Sequence, residues 1–145
     1  MSEHTTKLRQ RSVIFSAVAL LGMFGTGLVF AADGKVTLSG KEETPPVTTT
    51  ASGVADIKIS ADKKVSGHIR TKGIEGIAAH IHVGAPGENG PPIVTLAKDA
   101  DGAWAIPADS TLTDEQYAAY KAGKLYVNVH SAEHKPGEIR AQLKP

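Results

Sequence analysis

The chain of 145 residues contains no cysteine. That absence excludes a disulfide framework, a thiolate-held metal, an iron–sulfur cluster and a cysteine nucleophile, so the fold must rest on its apolar core or gain from a metal held by other side chains. Charge of one sign is also missing, since 16 Lys and Arg stand against 15 Asp and Glu. With no basic face to neutralise phosphates, nucleic acid is not an expected partner. Neither a Gly-x-Ser-x-Gly elbow nor a glycine-rich phosphate loop feeding a helix occurs, which weighs against hydrolase and nucleotide-dependent chemistry. No internal repeat or low-complexity tract is present.

The chain does begin with a leader pattern. Lys7, Arg9 and Arg11 precede an apolar run from Val13 to Phe30 that ends at Val29-Phe30-Ala31, before the polar Asp33-Gly34-Lys35. A basic stretch, an apolar run and small residues in that order are the layout of a secretory signal peptide over residues 1–31, with cleavage expected after Ala31 or Ala32. The run is long for such a segment, so an uncleaved anchor is the alternative, and the only one that brings in a membrane. Gly22, Gly25 and Gly27 favour the signal. The expected location is periplasmic or extracellular. Residues 32–145 then form the mature domain, with 13 basic against 14 acidic residues once Lys7, Arg9, Arg11 and Glu3 are removed. Its 114 residues suffice for one apolar core.

Short stretches of alternating apolar and polar residues recur at Lys35 to Gly40, Gly53 to Ser60, Lys64 to Thr71, Ala78 to Val83, Ile93 to Ala97, Lys124 to His130 and Glu138 to Leu143. Gly, Pro, Asp or Ser separates them, the signature of half-buried antiparallel strands. The expected fold is an all-β, Greek-key-like sandwich or barrel of seven or more strands. One helix interrupts the series. Thr113-Asp114-Glu115-Gln116 has the form of a capping box and Gly123 closes the run, which predicts a short surface helix from Asp114 to Ala122. Tyr117, Tyr120 and Trp104 are expected to pack against the sheet rather than to form a ligand platform.

The candidate chemistry lies in histidines. Alternate strand residues share a face about 6.5–7 Å apart, so His80 and His82 point one way while Ala79, Ile81 and Val83 point the other. His130 lies with Tyr126 and Asn128 on the polar face of a later strand, opposite Leu125, Val127 and Val129. The glycine- and proline-rich loop from Gly84 to Pro92 is placed to cover whatever binds there. His134, four residues after His130 in a loop, is a further candidate ligand. His68 is another, on condition that its strand neighbours that of His80. Glu88 and Glu133 are candidates for orienting a ligand imidazole, with solvated loop acids as the plain alternative.

Several stretches together carry a resemblance. Leu38-Ser39-Gly40-Lys41-Glu42-Glu43-Thr44-Pro45-Pro46-Val47, Ala51-Ser52-Gly53, His80-Ile81-His82-Val83-Gly84 with Gly87-Glu88-Asn89-Gly90-Pro91, and Tyr126-Val127-Asn128-Val129-His130 with Pro136-Gly137-Glu138-Ile139-Arg140-Ala141-Gln142-Leu143 resemble the CHRD domain family from about Lys35 to Leu143. That family is named for modules of chordin, an extracellular antagonist of growth factors, and similar single domains occur in exported bacterial proteins. The resemblance implies fold and compartment more than activity. In layout alone, His80-Ile81-His82, His130 and an Arg140 after a glycine-containing turn are similar to the copper site of the Cu,Zn superoxide dismutases. Lacking that family's cysteines and any evident zinc-binding loop, the chain is implied by this likeness to hold copper alone.

The donor set agrees with copper on its own terms. Imidazoles without thiolates or several carboxylates suit copper or zinc and disfavour calcium and magnesium; copper leads in affinity and adds redox cycling between Cu(II) and Cu(I), while zinc stays the alternative. The expected metal ligands are therefore His80, His82 and His130, with His134 or His68 as less certain additions. A superoxide dismutase-like oxidoreductase heads the functional expectations. Its substrate is a small anion, and Arg140 either guides that anion or is an ordinary cross-strand or exposed side chain. A periplasmic copper carrier or buffer without turnover, and a metal-free extracytoplasmic interaction module, are the alternatives. No protein partner is indicated.

Overall fold

A computed structural model describes residues 34–145. The leader and the question of its cleavage lie outside the described residues.

Nine strands and one helix make up the domain: β1 (Lys35–Ser39), β2 (Ser52–Ile59), β3 (Val65–Lys72), β4 (Gly76–Val83), β5 (Pro92–Thr95), β6 (Ala97–Ala100), β7 (Ala103–Ala105), α1 (Asp114–Lys121), β8 (Leu125–Ser131) and β9 (Ile139–Gln142). They form one antiparallel sheet in the order β5-β4-β8-β9-β1-β2-β3-β7-β6. The outermost strands of that order, β5 and β6, are consecutive in the chain and joined by Leu96 alone. A sheet whose two edges are tied by one residue has to curl round on itself. The Leu96 N–H donates to the Ala79 carbonyl of β4 at 2.9 Å, and Lys98 Nζ of β6 reaches the Gly76 carbonyl at 3.1 Å. Trp104 of β7 packs on Gly76, where a Cβ would meet the indole at 2.8 Å. The sheet is thus a nearly closed barrel, one of the two expected forms, in which few edge groups are left to pair with other chains.

Two strands, β6 and β7, were not expected. Every residue of β6 is exposed, so Ala97-Lys98-Asp99-Ala100 shows no apolar alternation to detect. Pairing there follows from the Asp101-Gly102 turn, with Gly102 at φ 70° in the region that glycine favours, and from the Trp104 anchor. The stretch expected as one strand from Ile93 to Ala97 is divided at Leu96, which turns inward into the core.

Alternation elsewhere places side chains as the pattern predicts. Leu38, Ala55, Ile69, Ala79, Ile81, Leu125, Val127, Val129 and Ile139 fill the barrel with no residual exposure, each of the larger ones contributing on the order of 1.5–3 kcal/mol by leaving water. Tyr117 and Tyr120 of α1 pack against this core and Trp104 belongs to it. The helix is capped as its sequence predicts: Thr113 Oγ1 accepts from the Gln116 N–H, and Gln116 Oε1 accepts from the Thr113 N–H. The outer faces of β4, β8 and β9 depart from the simple pattern, because all of β8 is buried on both sides. Loops roof its polar face.

Candidate metal centre

The polar stripe under that roof crosses three neighbouring strands. In the β4–β8 register His80 stands opposite Asn128 and His82 opposite Tyr126, while His130 pairs with Ala78; in β8–β9, Asn128 faces Arg140 and Tyr126 faces Gln142. Each of these side chains points away from the core because each alternates with a core residue.

His80, His82 and His130 converge. Each offers a ring nitrogen, and the three nitrogens lie within 4.8 Å of one another. Ligands of a tetrahedral ion with metal–nitrogen bonds near 2 Å stand about 3.3 Å apart, so modest side-chain adjustment would let the three nitrogens share one ion. The hydrogen bonds fix which nitrogen each ring presents. His82 Nδ1 lies 2.8 Å from the Gly90 carbonyl and His130 Nδ1 lies 2.8 Å from the Lys135 carbonyl. A carbonyl only accepts, so both Nδ1 atoms carry the proton and both Nε2 atoms keep a lone pair. His80 Nδ1, 2.9 Å from His130 Nε2, is then the donor of that contact. A cation between these rings would meet the His130 Nε2 lone pair, and His80, the one ring of the three that is partly exposed, could carry its proton on its other nitrogen. His82 Nε2 is buried without any partner.

Burial holds all three imidazoles below their ordinary titration range. At His80 the neighbouring His130 and His82 add to the effect, whereas at His82 and His130 the Gly90 and Lys135 carbonyls oppose it. The rings are accordingly neutral at neutral pH, the state that binds metal.

The roof has its own anchors. The Tyr126 ring stacks on His82 at 4.8 Å between centroids, and the Arg140 guanidinium lies 3.5 Å over the same ring. Arg140 donates to the Glu88 carbonyl at 2.9 Å, the Ala85 carbonyl at 3.1 Å, Gln142 Oε1 at 3.0 Å and, more weakly, Asn89 Oδ1 at 3.4 Å. Gln142 Nε2 holds the Gly84 carbonyl at 2.7 Å. Residues 84–91 are thereby tied to β9, and with them the Gly90 carbonyl that orients His82.

Arg140, expected either to guide an anion or to be an ordinary cross-strand or exposed side chain, is buried at 1% exposure, and its guanidinium donates to the roof and to Gln142. His68 is exposed on β3, which pairs with β2 and β7 and not with β4, so the condition for its joining the cluster is not met. His134 is half-buried in the loop after β8 and lines a surface groove with Pro45, Pro46, Val47 and Pro136, outside the triad. The Glu88 and Glu133 side chains are exposed; Glu88 serves through its backbone carbonyl. Sequence reasoning passed over Asn128, Glu43, Gly90 and Lys135. Asn128 alone carried a signal, as a face-mate of His130; the other three enter from loops, which have no periodicity to read.

Fold and site together define an antiparallel barrel with a roofed, three-histidine candidate metal pocket on its outer face. The CHRD domain model matches residues 35–143, and the chain belongs to the CHRD domain family. No curated protein and no solved structure gives a match. Likeness to the Cu,Zn superoxide dismutases goes no further than the histidine triad.

Proposed function

We propose that this domain holds one copper ion on His80, His82 and His130 and works outside the cytoplasm. The observation that carries the proposal is the arrangement of tautomers: two buried imidazoles are locked by backbone carbonyls so that their Nε2 lone pairs turn toward a third. Outer partners of this kind are what orient and strengthen histidine ligands. Copper leads zinc for this set by the affinity order of divalent ions. The leader pattern supports the compartment. Metal analysis and calorimetry test the site: the parent should take up about one copper per chain, and His80→Ala combined with His82→Ala should abolish uptake. Unchanged stoichiometry and affinity in the double variant sink the assignment.

A second reading, superoxide dismutation, is favoured by the partial exposure of His80 beside two buried partners, which leaves one side of the site open to a small anion. Copper supplies one-electron redox chemistry when bound. The chain's own part is to hold three neutral nitrogens, to exclude water from the His82 and His130 side, and to keep the roof in place through Arg140. Pulse radiolysis of the copper-loaded protein decides between turnover and simple carriage: dismutation no faster than that of weakly chelated copper leaves a carrier or buffer.

A further inference from the structure

Asn128 is 1% exposed, and its carbonyl oxygen has no hydrogen-bond donor. It sits opposite His80 on β4, two residues from His130 on its own strand and diagonal to His82, so all three histidines occupy neighbouring strand positions. The other side of its carboxamide decides which way it points. Nδ2 donates to the Pro136 carbonyl at 3.3 Å. Glu43, 5% exposed, approaches the same nitrogen across Gly137, where a Cβ would strike both Glu43 Oε1 and Asn128 Nδ2. Both neighbours accept hydrogen bonds, so the amide NH2 belongs between them; a flip would set oxygen against two oxygens.

Oδ1, the other end of the carboxamide, is therefore turned away from Pro136 and Glu43 and toward the strand positions of the histidines. His82, diagonal to Asn128 across the β4–β8 pair, presents a lone pair too, since its Nδ1 holds its proton for Gly90 and its Nε2 is unpartnered. Two buried acceptors on one side, neither supplied with a donor, are each unfavourable. An electron-pair acceptor placed between them removes both costs.

We propose that Asn128 Oδ1 is the fourth ligand of the ion, completing a set of three nitrogens and one oxygen; this rests on the metal reading above and specifies the charge state the site prefers. A carbonyl oxygen is a hard donor that favours a divalent ion, whereas Cu(I) is content with imidazoles alone. Glu43 and Gly137 are then positioning residues: one holds the amide NH2, and the other leaves room for it.

The test is chelator competition for Cu(II) and for Cu(I) with the parent and Asn128→Ala. Cu(II) affinity should fall about 10–100-fold in the variant, with Cu(I) affinity unchanged. Equal loss of both oxidation states, or no loss of either, overturns the fourth-ligand proposal while leaving the histidine site standing. A parent that binds no copper overturns the metal reading itself, and the proposal with it. Should Asn128→Ala fail to fold, the parent alone decides. Asn89 and Asn128 are its two asparagines, so Cu(II)-loaded protein labelled with 13C-asparagine should show a directly coupled carbonyl carbon in electron–nuclear double resonance, retained in Asn89→Ala. Absence of that coupling refutes ligation.

Discussion

Replacing Arg140 by Met removes the guanidinium and keeps the stem. Three well-formed hydrogen bonds disappear, to Glu88 O, Ala85 O and Gln142 Oε1, each worth about 1.5–3 kcal/mol when the donor is charged. Much of that gross figure is returned. Glu88 is exposed, so water re-pairs its carbonyl, the Ala85 carbonyl keeps the Glu88 N–H, and the several kcal/mol that burial of a cation costs is recovered. Methionine also retains contact with the Tyr126 ring. The net loss should be about 2–4 kcal/mol, a large part of the roughly 5–15 kcal/mol that holds a domain of this size together.

Urea unfolding of the metal-free protein measures that loss, and hydrogen exchange locates it: protection should fall at the amides of residues 84–91 and hold in the core strands β2 and β3. Because Gly90 orients His82, copper affinity should fall as well, about 10–100-fold. Arg140→Lys separates anchoring from charge. It keeps the cation and loses the planar fork, so a roof anchor predicts that Lys behaves nearly like Met, while an anion guide predicts that Lys behaves like Arg. A stability change in Arg140→Met within about 0.5 kcal/mol, as for an ordinary surface substitution, with unaltered exchange at residues 84–91, would refute the anchoring role.

Gly137, at φ 140°, lies where a Cβ would strike Glu43 and Asn128, so Gly137→Ala should destabilise the fold by about 1–3 kcal/mol and weaken copper binding, read by urea titration and calorimetry. Thr113→Ala, which breaks the capping box of α1, should cost about 1 kcal/mol and leave copper affinity unchanged. For pH, the three histidines have folded pKa values below their unfolded ones, so their contribution to stability is complete above about pH 6.5 and is lost as pH falls toward the folded values. Urea midpoints of the metal-free protein should accordingly drop between pH 7.5 and pH 5, less steeply in His82→Gln; equal slopes in the two proteins count against buried neutral imidazoles.

The barrel was legible wherever one face of a strand meets the core. Ala55-Asp56-Ile57-Lys58-Ile59 and Leu125 to His130 announce their inward residues by alternation, and the helix announces its start by Thr113 and Gln116. Where burial does not drive the pairing, as in the wholly exposed β6, the pattern is silent and only the Asp101-Gly102 turn speaks. The candidate site was legible to the same depth. Spacing alone puts His80 and His82 on one face of their strand and His130 on the polar face of another; that these two strands pair is not written in the spacing. What the alternation did not convey is that this outer face is itself buried, because its cover comes from residues 84–91 and 134–137, whose contacts are irregular. The burial of Arg140 is not legible for that reason: a polar residue on an outward face reads as exposed until the loop above it is known.

The same covering explains why a polar stripe of this size is tolerated at all. Buried imidazoles, a carboxamide and a guanidinium each need partners, and the barrel wall supplies few because its own N–H and carbonyl groups are spent on strand pairing. The glycine- and proline-rich loops meet the need with carbonyls not spent on strand pairing: Gly84, Ala85, Glu88 and Gly90 from one loop, Lys135 and Pro136 from the other. A one-residue slip of β8 against β4 would turn Val127 and Val129 toward these carbonyls and drive Asn128 and His130 into the core. Loop carbonyls and apolar core thus enforce the same register from opposite sides of one strand. Two acceptors on the outer face, His82 Nε2 and Asn128 Oδ1, still lack a donor under this roof, and a cation bound among the histidines would meet both.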